Sequence, residues 1–266
     1  MDITKPQNDI QKCRWPRAIL VLLCLVFFGI GFFTRSAYCS LILFALTLSG
    51  LYLKSADIFL VGLICALAAS LRRIETLSGL WPLPIALALV SVLIIGKLLE
   101  FTRGEFDWIK RGDFGRRQIA IIAVVAAVSG ISLVAWCVTV RPDISDLAGR
   151  VPRLHPILLI VTGLLFSLIN AVCEEFIWRG IIFNALERTF LPSAGALFLQ
   201  ALSFGAAHVH GFPRGASGIV LASIFGYIMG CVRQQAKGLA APIAAHFFAD
   251  VVIYSILVSA VLAKGA

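Results

Sequence analysis

Long apolar runs separated by short polar segments are the dominant pattern along this chain. A run of about 17–25 apolar residues is long enough for one helix to cross a bilayer. The pattern predicts an all-α, polytopic transmembrane helical bundle of about nine spans, or eight, because the second and third runs are short. The expected spans are 18–33, 38–53, 56–71, 80–99, 118–140, 156–183, 191–209, 216–232 and 239–262.

The polar connections between the runs indicate how the bundle is oriented. Residues 1–17 are basic, and no small-residue cleavage site follows the first span, so we interpret that span as an anchor. The longest connection, Glu100–Arg117, mixes aromatic and charged residues, as a segment at headgroup level does. Its basic residues favour the cytoplasmic side. Arg72 and Arg73 would then face outward, against the positive-inside rule.

The composition agrees with a membrane protein. Of the 266 residues, 60% are hydrophobic and 14% are charged, whereas soluble domains are about a quarter charged. Much of the net charge of +9 lies in the connections, where it orients helices and meets anionic headgroups, so no nucleic-acid partner is expected. The seven cysteines form no CxxC pair and are typical of buried small side chains. Cys173 has no base beside it in sequence, which disfavours a catalytic thiol.

Three polar clusters interrupt the apolar runs in the last part of the chain. They read "EEFIWR", "FGAAH" and "HFFAD" in the sequence. Ionisable residues inside spans are expensive, and they usually face a protein interior or a water-filled cavity. The candidate site residues in these clusters are Glu174, Glu175, Arg179, Phe204, His208, His246 and Asp250.

The spacing within each cluster predicts which side chains share a helix face. Each of the three motifs ends on a residue four positions after an earlier polar or aromatic one, and residues so spaced are neighbours on a helix. Glu174 lies about 100° around the helix from Glu175. One glutamate can therefore point into a cavity while the other bonds to Arg179 or to another helix.

The depth of the clusters is a second prediction. A turn near Leu191–Pro192 brings Glu175 and His208 to similar levels on antiparallel helices. His246 follows a proline at a helix start and is expected nearer one membrane surface, unless tilted or broken helices close the gap.

These side chains suit the hydrolysis of an amide. A carboxylate in a water-poor cavity can act as a general base near neutral pH. A histidine opposite it can donate a hydrogen bond to an oxyanion or protonate a leaving amine. Asp250 or a backbone carbonyl would fix the tautomer of a histidine.

Each cluster also has a purely structural interpretation. Glu175 and Arg179 can form a structural ion pair, a lone membrane histidine can bond to a neighbouring helix, and His246 with Asp250 can clasp two helices. Phe204 can be lipid-facing bulk. His210 and His155 read as loop and interfacial residues, and the glycine pair in "FGYIMG" reads as close helix packing.

The three motifs together resemble the CPBP family of intramembrane proteases, which includes type II CAAX prenyl endopeptidases and bacteriocin-immunity proteins. The family signature is Glu-Glu-x-x-x-Arg, then Phe-x-x-x-His, then His-x-x-x-Asn or Asp, and this chain shows these motifs in order between about Leu154 and Val258. The segment "LAAPIAAHFFAD" also resembles the family's segment in which apolar residues and a proline precede the histidine. The segment from Gly211 to His246 resembles the branch that accompanies C-terminal sorting-signal systems.

The resemblance implies a fold, an activity and a set of roles. The fold is a helical catalytic core at 154–266, preceded by N-terminal membrane spans and an interfacial connection at 1–153. The activity is that of a metal-independent glutamic endopeptidase without a cofactor. Glu174 and Glu175 with His208 would activate water.

The remaining motif residues would support that chemistry. By the same resemblance His246 and Asp250 stabilise the oxyanion, Arg179 positions a glutamate, and Phe204 shapes the cavity. Prenyl-protease members usually carry Asn in place of Asp250. Because an ionised Asp accepts hydrogen bonds but donates none, orienting His246 is the easier role to defend for it.

The sequence leaves other functions open. A zinc metallopeptidase could use the same His and carboxylate types, although no HExxH motif is present. A non-enzymatic immunity or scaffold protein, or a proton-coupled transporter, could also bury these groups. The expected partners are the lipid bilayer and a membrane-associated protein or peptide cut near its C-terminal region. The expected location is the cell membrane of a prokaryote.

Overall fold

The described residues of this chain form helices joined by turns and short loops. A computed structural model describes residues 14–189 and 193–265, and no strand occurs in those ranges. The helices are α1 Arg14–Thr34, α2 Ala37–Tyr52, α3 Ala56–Leu71, α4 Glu75–Ser78, α5 Leu83–Leu98, α6 Arg116–Val140, α7 Ser145–Ala148, α8 Pro156–Glu175, α9 Phe183–Thr189, α10 Ser193–Ala207, α11 Gly215–Ala236 and α12 Ala240–Gly265. A 3₁₀ segment, Glu100–Phe106, follows α5, and a π-helical segment, Phe176–Ile182, joins α8 to α9.

The membrane spans are fewer than expected when length and apolar character are both required. Within residues 14–189 and 193–265, five stretches satisfy both, at Pro16–Thr34, Arg116–Val140, Pro156–Thr189, Gly215–Ala236 and Ala240–Ala263. A sixth is possible if α5 and the 3₁₀ segment, which are bent by 119°, form one span. Helices α2, α3 and α10 are apolar but shorter, at 16, 16 and 15 residues. The helical membrane fold is confirmed, and the count of eight or nine spans is not.

The expected span at 191–209 and the expected turn before it need separate comment. Helix α10 ends at Ala207, so His208 lies in the turn that follows and not inside a span at 191–209. The expected turn at Leu191–Pro192 falls outside the described residues, as does the basic stretch before residue 14.

Polar contacts define the two ends of the bundle. At one end, which we call the Arg72 end, Arg73 donates to the Arg35 carbonyl at 3.1 Å and Arg150 donates to the Ser78 carbonyl at 3.0 Å. At the other, the Lys110 end, the N–H groups of Leu239 and Ala240 donate to the carbonyls of residues 110 and 111. Arg72 and Arg73 thus lie at the end opposite the Glu100–Arg117 connection. Which end faces the cytoplasm stays a prediction.

The Glu100–Arg117 connection packs inward more than a headgroup-level segment would. Trp108 is only 6% exposed, and its ring meets Phe176 edge-on at 5.5 Å. A Cβ at Gly180 would lie 2.2 Å from the Trp108 ring, so the indole fills a space that only glycine leaves open. The connection therefore packs against the π-helical segment through Trp108.

Close packing of α10 against α11 supports the same region from the other side. A Cβ at Gly226 would meet Phe204 at 3.2 Å and the Ala201 Cα at 3.3 Å, which confirms the packing role of the glycine pair. The largest apolar core joins residues from both parts of the chain, from Val21 to Leu239. Helices α8 and α12 also contact each other extensively, which brings the first and third motifs together.

Candidate active site

The three motifs converge in the interior of the bundle. The two glutamates end α8, Arg179 lies in the π-helical segment, Phe204 is on α10, His208 follows α10, and the third motif is on α12. Every one of these side chains except His208 is buried. His246 reaches Glu175 directly, so the expected difference in depth does not separate them.

Glu175 is held by two partners through one oxygen. Its Oε1 lies 3.0 Å from Arg179 Nη1 and 2.7 Å from His246 Nδ1, and the Glu175 and Arg179 side chains are both fully buried. Arg179 also donates to the Gly226 carbonyl at 3.2 Å and lies 4.6 Å from the centre of the Phe204 ring. Glu175 is thereby fixed between α8 and α12.

Glu174 occupies a different position. It lines a cavity, and its Oε2 is buried without a hydrogen-bond partner among the described residues. The nearest imidazole nitrogen, His246 Nε2, lies 3.6 Å from that oxygen. The prediction that one glutamate faces a cavity while its neighbour pairs elsewhere is therefore matched by the geometry, with Glu174 as the cavity residue.

The ring of His246 links all three carboxylates. Its Nδ1 bonds to Glu175, while its Nε2 lies 3.6 Å from Glu174 and 3.7 Å from Asp250 Oδ1. The hydrogen bond that orients this ring is donated by Nδ1–H to Glu175, since 3.7 Å is too long for a hydrogen bond from Nε2–H to Asp250. Nε2 thus points into the space between Glu174 and Asp250.

Asn170 belongs to the site and was not among the candidates drawn from the sequence. Its Nδ2 donates to Asp250 Oδ2 at 3.0 Å, and its Oδ1 accepts from the Trp81 indole at 2.9 Å. The only sequence signal was its position four residues before Glu174, on the same face of α8. Asn170 and Trp81 together fix the carboxylate of Asp250.

The tautomer of His208 follows from its local contact. Its Nδ1 lies 2.8 Å from the Phe204 carbonyl, which can only accept, so Nδ1 carries the hydrogen and Nε2 is an acceptor when the ring is neutral. The two rings are 4.5 Å apart. Phe204 is 1% exposed, so the lipid-facing alternative for it is wrong.

Two cavities meet at this cluster. The first, about 340 Å³, is lined by Glu174, Asn170, His208 and Asp250 at one side, and elsewhere by mostly apolar residues together with Arg72 and Arg150. The second, about 290 Å³, lies on the α6 side and is lined by Phe204, His208, His246 and Asp250. His208 and Asp250 line both cavities, so a chain passing from one to the other would cross the motif residues.

The described part of the chain lacks the arrangement of side chains that a metal ion needs. Within residues 14–189 and 193–265, no group of three or more His, Cys, Asp or Glu side chains is arranged to hold a metal ion. The neighbouring Cys173 is buried.

The described residues thus form a helical bundle with carboxylates and imidazoles gathered around two internal cavities. Residues 156–252 match the family described as Type II CAAX prenyl endopeptidase Rce1-like. This C-terminal part of the chain is similar to that family of membrane peptidases. No curated protein and no solved structure matches the chain.

Proposed function

We propose that this protein is a metal-independent endopeptidase of a prokaryotic cell membrane, in which Glu174 activates water. Its substrate is a membrane-associated protein, cut near the C-terminal region. The observation that carries the proposal is the contrast between the two glutamates. Each has one buried oxygen without a hydrogen-bond partner, but Glu175 is held by Arg179 and His246 through its other oxygen, whereas Glu174 lines the first cavity.

The proposed reaction begins at Glu174. Its carboxylate accepts a proton from a water molecule, and the resulting hydroxide attacks the carbonyl carbon of the scissile amide. His208 Nε2 lines the same cavity and accepts a second hydrogen bond from that water. When the tetrahedral intermediate collapses, the C–N bond breaks and Glu174 returns its proton to the leaving amine.

The oxyanion needs hydrogen-bond donors in a water-poor site. His246 supplies Nε2–H when the ring carries both protons, because Nδ1–H is directed to Glu175. Asp250 only accepts, and the amide of Asn170 next to it has a second N–H. In this proposal Asn170 contributes the carboxamide that related proteins carry in place of Asp250.

Glu175, Arg179 and Phe204 act as positioning residues. Glu175 orients the His246 ring, Arg179 neutralises Glu175, and the Phe204 ring packs against Arg179, His208 and His246. These contacts hold the imidazoles at fixed distances from Glu174, as catalysis requires.

The test uses the full chain in lipid nanodiscs with a panel of fluorogenic peptides that carry an N-terminal lipid anchor. Glu174→Gln should lower turnover by at least about a hundredfold, in line with the loss of a general base. The control is Glu75→Gln, an exposed residue of α4, which should leave turnover unchanged. Full activity of Glu174→Gln would refute the proposed mechanism and favour a non-hydrolytic role such as proton transport.

A further inference from the structure

The mouth of the first cavity carries two arginines. Arg72 and Arg150 line it at the Arg72 end of the bundle. The Arg72 guanidinium lies 4.3 Å from the centre of the Phe32 ring, and within residues 14–189 and 193–265 it has no hydrogen bond and no ion pair. Arg150 uses one N–H on the Ser78 carbonyl. The remaining N–H groups of both side chains are available to a ligand.

Among the described residues, neither Arg72 nor Arg150 forms an ion pair with a carboxylate. Burial and the neighbouring Arg35 and Arg150 lower the pKa of Arg72 to about 10. The nearby carboxylate of Asp146 is bound by Arg214, at 2.5 and 3.1 Å. A half-buried guanidinium beside like charges is stabilised by an anion, and Arg binds carboxylates through two parallel hydrogen bonds.

The cavity connects these arginines to Glu174. Four residues of α8 line it at four-residue spacing, from Thr162 through Phe166 and Asn170 to Glu174. The length of helix between Thr162 and Glu174 is about 18 Å at 1.5 Å per residue. An extended peptide advances about 3.3–3.6 Å per residue, so a tail of about five residues spans this length.

We propose that Arg72 and Arg150 bind the C-terminal carboxylate of the substrate, with the short apolar tail lying in the first cavity. This proposal rests on the proposed function, since the tail must extend from a scissile bond at Glu174. Its ligand is a peptide and not a lipid acyl chain, because Asn170, Glu174 and Asp250 line the inner part of the cavity. Peptide groups can pair with those polar side chains, whereas an acyl chain would leave them unpaired.

The experiment measures binding separately from hydrolysis. The full chain with Glu174→Gln, in nanodiscs of zwitterionic lipid, is titrated with an acetylated apolar pentapeptide that has a free C-terminal carboxylate. The same peptide with a C-terminal amide is the matched ligand. We expect the acid to bind about tenfold more tightly or better, as charge-assisted hydrogen bonds predict.

Further variants test the two arginines. Arg72→Gln should remove the preference for the acid, and Arg150→Gln should reduce it. Arg73→Gln is the control, because Arg73 is exposed and does not line the cavity. If Arg72→Gln does not fold, Arg150→Gln decides the test, because Arg150 is exposed. Arg72→Lys keeps the positive charge and should keep part of the preference for the acid.

Two outcomes would overturn the proposal. One is equal binding of the acid and the amide. The other is an Arg72-dependent stabilisation by phosphatidylglycerol alone, which would make this a lipid headgroup site. Neither outcome depends on Glu174 being the catalytic base, because turnover is not measured; the loss of turnover in Glu174→Gln tests that role separately.

Discussion

Glu175 Oε1 and Arg179 Nη1 lie 3.0 Å apart, and neither side chain is exposed to solvent. Removing one partner of such a buried pair leaves an uncompensated charge and costs about 3–5 kcal/mol in typical cases. We expect Glu175→Gln to lower the free energy of unfolding by about this amount, measured by denaturant or thermal unfolding in detergent. Glu174→Gln should have a much smaller effect on stability. Equal losses for both variants would contradict the division of roles between the glutamates.

Asn170 should matter for turnover as well as for packing. Asn170→Asp places a carboxylate directly beside Asp250, and we expect it to lose most activity through like-charge repulsion. The exchange Asn170→Asp with Asp250→Asn keeps one amide and one carboxylate in contact, and Trp81 keeps its acceptor. Turnover of the double variant should exceed that of Asn170→Asp alone. Additive losses would show that the two positions are not coupled.

Gly180 and Trp108 provide a packing test of the π-helical segment. Gly180→Ala places a Cβ 2.2 Å from the Trp108 ring, so we expect a loss of about 1–3 kcal/mol from overpacking. Gly104→Ala is the control, because no atom lies within 4 Å of its added Cβ. Trp108→Leu should partly rescue Gly180→Ala in the midpoint of unfolding. An unchanged midpoint for Gly180→Ala would mean that this contact is not tight.

Asp146 and Arg214 predict a stability change at acid pH. The hydrogen bonds from Arg214 lower the pKa of the Asp146 carboxyl below its ordinary value of 3.8. Because the folded pKa is the lower one, the stabilisation is complete above the ordinary value and is lost as the pH falls below it. The Tm difference between wild type and Asp146→Asn should therefore be constant from neutral pH to about pH 5 and shrink below about pH 4. A difference that grows toward acid would contradict the assignment.

Chelation tests the alternative of a zinc peptidase. We expect turnover to survive exhaustive treatment with EDTA, because Glu174 and the imidazoles supply the base and the donors in the proposed mechanism. A zinc metallopeptidase treated in parallel is the control for effective chelation. Loss of turnover that zinc restores would favour metal catalysis.

Much of the site followed from local spacing, and the rest depended on contacts between distant segments. The four-residue spacing of Glu175 and Arg179 predicted their pairing, because helix geometry alone brings them together. Asn170 was missed because its function depends on Trp81 and Asp250, which are 89 and 80 residues away. No spacing rule links such positions.

The fold shows the same division between local and long-range information. Apolar runs predicted the helices, and the bounds of α3 agree with the expected 56–71. The end of α10 before His208 and the inward packing of Trp108 were not predicted, because tertiary packing decides both. The π-helical segment has no simple sequence signature, since it adds a residue to a turn without a marked change in composition.

The π-helical segment has a geometric consequence for the wall of the first cavity. In an α-helix, residues at four-residue spacing drift by about 40° per step, so a long row of them winds away from any fixed surface. A π turn holds about 4.4 residues and reverses the drift. The row on the cavity wall is Thr162, Phe166, Asn170, Glu174, Trp178 and Ile182. The widened turn thus returns Trp178 and Ile182 to the cavity wall beside Glu174, and deleting one residue from it would rotate these two side chains out of register.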